Sequence, residues 1–416
     1  MAANLNRNNR PAKYPGLPVT ADGSEAVVHV EGYLCQAVCA APVPPASRMA
    51  ALFEREVAAG RANLWNEPLR YLEFDSSLGA ASACEGVALA GGRAATFTSG
   101  QGLLEMAEIL HSAAGKRLPV VFHVAARSLA SQGLSIHAGH DEVMLAAGTG
   151  CGVLFARDAQ EAADLAVIAR RAAELCETPF LSVQDGFLTT HTLETVRLPE
   201  PELLKVFNGP PSQRLRAVFN PREPLVSSPV QNQDSYMKGR IAQRFFYERV
   251  RPSLATAMSD FSELTGRRYD MLRQFRMDDA EFAIVGLGSM MGTAEAAAEM
   301  LREKGIAAGA VSVTCFRPFP SKEIVRAISR CQAVAVIERT DTPLSESNPL
   351  ALEIKAALAS AQMGDEARLL RIPEVFSGAA GLGGSPITPG HFIAAVENMQ
   401  RHGRRFFVLE IGRAHV

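Results

Sequence analysis

Arg127 ends the run VVFHVAAR, and the stretch that follows, SLASQGLSIHAGHDEVM, carries His137, His140, Asp141 and Glu142. A guanidinium at the end of a strand offers a planar fork of donors that matches a carboxylate, and its burial is costly unless an anion pairs with it. Two kinds of anion qualify: the carboxylate of a ligand, or one of the chain's own acids. His137 and His140 are spaced for one helical face or for a metal, but no third ligand accompanies them. They read as hydrogen-bonded structural histidines, and no metal site is expected. A second stretch, ATFTSGQGLLEMAE, sets Thr98, Ser99, Gly100 and Gln101 at a strand-to-helix junction. Exposed amides and hydroxyls there can hold polar groups of a ligand, or only cap the helix. GLGSMMG (Gly286, Gly288, Gly292) marks another such junction. Its G-x-G-x-x-x-G spacing departs from the dinucleotide fingerprint and no acidic residue closes the next strand, so a tight turn is expected, with Thr293 as helix cap.

Positioning these residues takes a sheet. AATFTS, LPVVFHVAA, GCGVLFA and TPFLSVQ read as strands between helices such as SLGAASACEGVALAGG, GLLEMAEILHSAAG and QEAADLAVIARRAAELC. Near-continuous apolar strands alternating with helices indicate a parallel sheet covered on both faces, whose ligands bind beyond the carboxyl ends of the strands. TADGSEAVVHVEGYLCQAVCA reads as one helix capped by Asp22 or Ser24, with Cys35 and Cys39 packed inside it. Between about residues 200 and 251 the periodicity fades into proline-rich, polar sequence that suits an extended surface linker. A second α/β domain follows: EFAIVGLGS, AAGAVSVTCF and AVAVIER as strands, with GTAEAAAEMLREKG, SKEIVRAISR and LALEIKAALASA as helices. The expected division is residues 1–245 for the first domain with its leading segment and linker, 246–400 for the second, and 401–416 as a tail.

With 416 residues, 47% of them hydrophobic and 21% charged, the chain has ample apolar material for more than one core. Its 42 Lys and Arg against 44 Asp and Glu leave a net charge of -2, which argues against a nucleic-acid or anionic-membrane partner. The seven cysteines are odd in number and scattered, so a reducing, cytoplasmic setting is expected. No secretory apolar core and no run of about 20 apolar residues is present, so no membrane span is expected.

Several linked segments resemble the pyruvate:ferredoxin oxidoreductase family of thiamine-diphosphate enzymes. TADGSEAVVHV is similar to that family's T-x-G-x-E-A opening, FTSGQGLLEM to F-T-A-S-Q-G-L, and VVFHVAARSLASQGLSIHAGHDEVM to V-F-H-V-A-A-R-x-L-A-x-x-x-L-S-I-x-x-x-H-x-D-V-M. PFLSVQDGFLTTH, TCFRPFP, VIERTDTP and GLGGSPITP continue the match, in order, from about residue 20 to 400. The resemblance implies a thiamine-diphosphate pyrimidine-binding parallel-sheet domain followed by an α/β domain like the carboxyl-terminal domain of transketolase. It also implies oxidative decarboxylation of a 2-oxoacid with coenzyme A to an acyl-CoA.

Because no G-D-G with a distant Asn is visible, the family pattern casts this chain as an α subunit. It would share thiamine diphosphate with a β subunit that holds the diphosphate and magnesium, while γ and ferredoxin-like subunits bring iron-sulfur clusters. Arg127 aligns with the arginine that holds the 2-oxoacid carboxylate, and Thr98, Ser99 and Gln101 fall in the cofactor pocket. Two departures stand out. The family's Y-P-I-T-P-S loop reads Ala41-Pro42-Val43-Pro44-Pro45-Ala46-Ser47, so Val43 and Pro44 would line a roomier, less polar substrate pocket suited to a bulkier acid such as phenylglyoxylate. Ser77 occupies the place of the family glutamate that hydrogen-bonds the pyrimidine, and serine cannot relay a carboxyl proton. Asp75, Glu85 or a residue of another subunit could replace it. Alternatively, the chain is a non-catalytic scaffold or regulatory subunit, or serves a non-oxidative thiamine decarboxylase or carboligase.

Overall fold

The computed structural model describes residues 12–363, 372–410 and 413–415. The amino-terminal half runs β1 (Leu17–Ala21), α1 (Gly23–Leu34), β2 (Ala37–Ala40), α2 (Ser47–Ala58), β3 (Arg70–Glu73), α3 (Ser77–Leu89), β4 (Ala94–Thr98), α4 (Gln101–Glu105), α5 (Ala107–Lys116), β5 (Val121–Ala126), α6 (Asp141–Ala146), β6 (Gly152–Phe155), α7 (Ala159–Cys176), β7 (Phe180–Asp185) and β8 (Glu194–Leu198). Four helices follow, α8 (Pro201–Asn208), α9 (Pro211–Arg214), α10 (Gln233–Tyr247) and α11 (Val250–Thr265). The second half comprises β9 (Leu272–Phe275), β10 (Phe282–Gly286), α12 (Met290–Glu303), β11 (Ala308–Val313), β12 (Cys315–Arg317), α13 (Ser321–Ile328), β13 (Ala333–Glu338), α14 (Pro349–Met363), β14 (Glu374–Ala380), α15 (Pro389–Gln400), β15 (Phe406–Glu410) and β16 (Arg413–His415).

Two seven-stranded sheets organise these elements. The first has the order β12-β6-β7-β5-β4-β2-β3 and is parallel except for β12; the second has the order β16-β15-β14-β13-β10-β11-β9, with β9 and β16 antiparallel. Strands β4, β5, β6 and β7 are buried throughout, which explains their lack of polar alternation. Strand β12 lies in the second half of the sequence yet pairs with β6, so the segment read as one strand, AAGAVSVTCF, is divided between the two sheets. Its Phe316 packs edge-on against Phe155, 6.5 Å between centroids, inside an apolar cluster that continues into Val285 and Val311 of the second sheet. Among the described residues no helix is long and apolar enough to cross a membrane.

Other expectations need correction. Cys39 lies in β2, and Cys35 caps the end of α1, because the helix stops at Leu34 where the chain turns extended. The stretch from 200 to 251 is not all linker: α8 buries Leu203, Leu204 and Phe207, while the run before α10 and most of α10 itself are exposed. Helix α11, assigned by sequence to the second domain, packs on α7 of the first layer. Its Phe261 meets Phe207 at 5.6 Å, and just beyond it Arg267 binds Asp164 at 2.6 Å. The expected tail contributes β15, a parallel strand beside β14 with Phe407 and Leu409 buried.

Candidate active site

The parallel register places the carboxyl ends of β2, β4, β5 and β7 on one rim, and the sequence-selected residues gather there. Arg127 follows β5 and is 3% exposed; Thr98 and Ser99 end β4 and are fully buried. Gly100 takes φ 56°, ψ -129°, a conformation suited to glycine, and a β-carbon there would collide with the Arg127 guanidinium. The side chain of Arg127 therefore lies across the β4–α4 turn, where its Nη2 donates to the Gln101 side-chain oxygen. Ser77 opens α3 behind the Ser76 cap, and a β-carbon on Gly102 would stand 2.8 Å from the Ser77 hydroxyl and 2.9 Å from that of Thr98. Ser77, Thr98, Gln101 and Arg127 thus surround one turn.

The loop after β2 reaches across the rim to the end of β7. Gly186 follows β7, and a β-carbon on it would meet the Pro45 ring at 2.6 Å and the Ala126 carbonyl at 2.7 Å. From the end of β2, the chain must pass β4 and β5 to reach β7, roughly 14 Å at the usual strand spacing. Residues 41–45 make that span, with a turn beginning at Pro44, so Val43 and Pro44 lie on the segment that links the end of β2 to the end of β7.

Glu142 is the residue whose role the sequence did not reveal. It lies in α6 with no exposure, and its Oε1 accepts from the backbone amides of Arg127 at 2.7 Å and Gly100 at 3.3 Å. Burial pushes its carboxyl up to about 8 against the pull of these amides, and neighbouring Asp141 adds to the rise. Glu142 is therefore largely protonated at neutral pH. Arg127 makes no ion pair among the described residues; its side-chain partner there is the neutral Gln101. Four buried polar atoms at this rim have no hydrogen-bond partner among the described residues: Thr98 Oγ1, Ser99 Oγ, Arg127 Nε and Glu142 Oε2. Buried groups of this kind are ordinarily satisfied, so their convergence marks a place for a polar, anionic ligand.

Neither carboxylate suggested as a substitute at position 77 fits that role. Asp75 is exposed on the loop before α3, and Glu85 is paired with Lys116. His137 is exposed and meets Phe187 at 5.3 Å, while His140 is fully buried with its Nε2 2.8 Å from Asp185 Oδ1. Among the described residues no cluster of three or more His, Cys, Asp or Glu could hold a metal.

Asp185 accounts for the glycine motif of the second half. Its carboxylate accepts from the Ser289 hydroxyl at 2.6 Å and amide at 3.1 Å, and lies 3.2 Å from Arg339 Nε. The start of α12, a helix end of the kind that holds phosphates, is thus filled by this chain's own anion. Gly288, at φ 68°, lets the turn approach: a β-carbon there would stand 2.7 Å from Asp185 Oδ1. The cap of α12 is Ser289 rather than Thr293, which lies within the helix. Although burial alone would raise it, pairing with His140, then Arg339 and the Ser289 hydroxyl, holds the Asp185 carboxyl well below the usual range. Thr340 donates to Asp141 at 2.6 Å and the Gly383 amide to Ser128 at 3.1 Å, so loops of the second sheet hold the loop bearing Arg127 from behind.

Comparison with known proteins agrees with this geometry. Residues 30–259 match the family described as pyruvate flavodoxin/ferredoxin oxidoreductase, thiamine-diphosphate-binding, and residues 280–392 match pyruvate:ferredoxin oxidoreductase core domain II. A pyruvate-flavodoxin oxidoreductase of Nostoc sp. (strain ATCC 29151 / PCC 7119) is 34% identical over 91% of this chain and 92% of its own length. A probable pyruvate-flavodoxin oxidoreductase of Escherichia coli is 34% identical over 90% of this chain, which spans only 32% of that relative. A 2-oxoglutarate:ferredoxin oxidoreductase from Magnetococcus marinus superposes with a TM-score of 0.68 at 20% identity, covering 92% of this chain and 65% of the other. A split-gene transketolase superposes at 0.53 and 15% identity, covering 92% and 97%. The fold is thus a thiamine-diphosphate-binding domain followed by a transketolase carboxyl-terminal-like domain, and the chain belongs to the pyruvate flavodoxin/ferredoxin oxidoreductase family.

Proposed function

We propose that this chain supplies the substrate-carboxylate and aminopyrimidine half-site of a thiamine-diphosphate-dependent 2-oxoacid oxidoreductase. The observation that carries this reading is Arg127: a buried cation with no ion-pair partner among the described residues, at the carboxyl rim of a parallel sheet. Thiamine diphosphate, when bound, supplies the electron sink that lets a 2-oxoacid lose carbon dioxide. The chain's own groups bind and orient. The free hydroxyls of Thr98 and Ser99 fit the hydrogen-bonding edge of an aminopyrimidine, Ser77 flanks the same turn, and Gln101 holds the fork of Arg127 toward the substrate carboxylate. The position of the family glutamate offers only a hydroxyl, so no proton relay is assigned to residue 77.

As lining of the substrate pocket, Val43 and Pro44 would be apolar, which favours a bulky 2-oxoacid, with phenylglyoxylate as the leading candidate. The product would be an acyl-CoA, with electrons leaving to iron-sulfur clusters of partner γ and ferredoxin-like subunits and the diphosphate and magnesium held by a β subunit. An apolar stripe on α10 supports such partners: Met237, Ile241 and Phe245 lie one turn apart and are 64%, 57% and 67% exposed. All seven cysteines are free and buried, which suits the cytoplasm. Copurifying the complex and assaying benzoyl-CoA formation from phenylglyoxylate tests the reading. Turnover of pyruvate alone eliminates the aryl substrate, and absence of any 2-oxoacid turnover eliminates the enzyme. The missing carboxylate at residue 77 favours one rival, a scaffold subunit, for which Arg127→Ala would leave turnover of the complex unchanged.

A further inference from the structure

We propose that Glu142 is a positioning residue that sets Arg127 for the substrate carboxylate and withdraws it in alkali. This rests on the reading of Arg127 as the carboxylate site. Three observations support it. One carboxyl oxygen of Glu142 joins the backbone amides of Arg127 and Gly100, and Gly100 is the residue across which the guanidinium lies. Its other oxygen is buried and without a partner, as is Nε of Arg127. The two residues are also linked through charge: burial lowers the Arg127 guanidinium from its ordinary value, and a charge on Glu142 opposes that fall.

While Glu142 carries its proton, it orients Arg127 through the backbone and leaves the guanidinium uncompensated. Once ionised, it adds a negative charge that attracts the guanidinium and competes with the incoming carboxylate. Burial places this change near pH 8. Among the described residues, the groups set against Glu142 are Arg127 from the end of β5, Asp141 from its own helix, and from the α4 side the Gly100 amide and the neutral Gln101. Asp141 is engaged by Thr340 and by the Leu129 amide at 3.2 Å, so it does not take Arg127 in place of Glu142.

The test uses the assembled enzyme with mandelate and lactate, 2-hydroxy acids that offer the carboxylate without a keto carbon to react. Calorimetric titration from pH 7 to 9.5 reads binding, and KM and kcat are followed in parallel with the accepted 2-oxoacid. If only the protonated form binds, affinity falls roughly thirtyfold across that range. Glu142→Gln keeps an amide-bridging oxygen but cannot ionise. It should abolish the alkaline fall and restore most of the affinity that Glu142→Ala loses, with the loss carried by KM rather than kcat. An alkaline fall that persists in Glu142→Gln, or a Glu142→Ala enzyme that binds as tightly as the parent, overturns the role of Glu142 while leaving Arg127 intact. If the parent binds neither acid at any pH and Arg127→Gln changes nothing, the carboxylate site itself fails and Glu142 falls with it.

Discussion

Replacing Arg127 by glutamine removes the charge, retains a polar side chain over Gly100, and separates binding from folding. The parent residue is a buried guanidinium whose side-chain partner is the neutral amide of Gln101. A substrate carboxylate would bring it two charge-assisted hydrogen bonds, and deleting one member of such a buried pair costs about 3–5 kcal/mol. At about 1.4 kcal/mol per decade, kcat/KM for the 2-oxoacid should fall between roughly 140- and 4,000-fold. The assay is 2-oxoacid-dependent reduction of an electron acceptor by the purified complex, with thermal unfolding of the same preparation as control. Since the cation has no ion-pair partner among the described residues, its removal should leave the melting temperature unchanged or slightly raised. A drop in kcat/KM of less than tenfold would refute the carboxylate assignment. So would a melting temperature that falls in step with activity, which would mark Arg127 as a structural group.

Glu142→Gln should also stabilise the fold, with a definite pH dependence. The folded carboxyl, near 8, lies above its ordinary value of 4.5, so the folded state holds the extra proton between these limits and stability declines as pH rises through them. The variant should therefore gain up to roughly 4 kcal/mol at pH 8, with the gain shrinking toward pH 5 in denaturant titrations. Asp185→Asn has the opposite sign: a depressed carboxyl stabilises above its unfolded value and loses that contribution in acid. At pH 7 the variant strands His140, Arg339 and the start of α12, and a loss of about 3–5 kcal/mol is expected by calorimetry. Ile241→Glu, in the exposed stripe of α10, should change intrinsic stability by no more than about 0.5 kcal/mol while weakening assembly of the complex by gel filtration.

The alternating architecture was legible because β4, β5 and β7 are buried on both faces and therefore read as unbroken apolar runs. Arg127, Thr98 and Ser99 could be chosen for the same reason: each follows directly on such a run. Long-range pairing was not legible. Nothing local in TCFRPFP says that β12 joins β6, and nothing in GLGSMMG says that Asp185, about a hundred residues earlier, fills its helix terminus. Helix α8 was missed because two prolines flank LLKVFN, although one of them, Pro201, occupies the first helical turn where proline is well tolerated. Glu142 was visible as an acid in a functional loop. Its neutral state depends on complete burial and on amides supplied by two other strand ends, which spacing cannot express.

The partner of β6 arrives late. Strand β6 ends at Phe155 and its neighbour β12 at Arg317, so during synthesis at about 5–20 residues per second the amino-terminal layer waits roughly 8–30 s with a raw border. Such a border, lined by the apolar run GVLF, invites pairing with another nascent chain. Halting translation before Cys315 should accordingly yield insoluble aggregates, and adding the stretch through Arg317 should restore solubility before the rest of the second sheet is made.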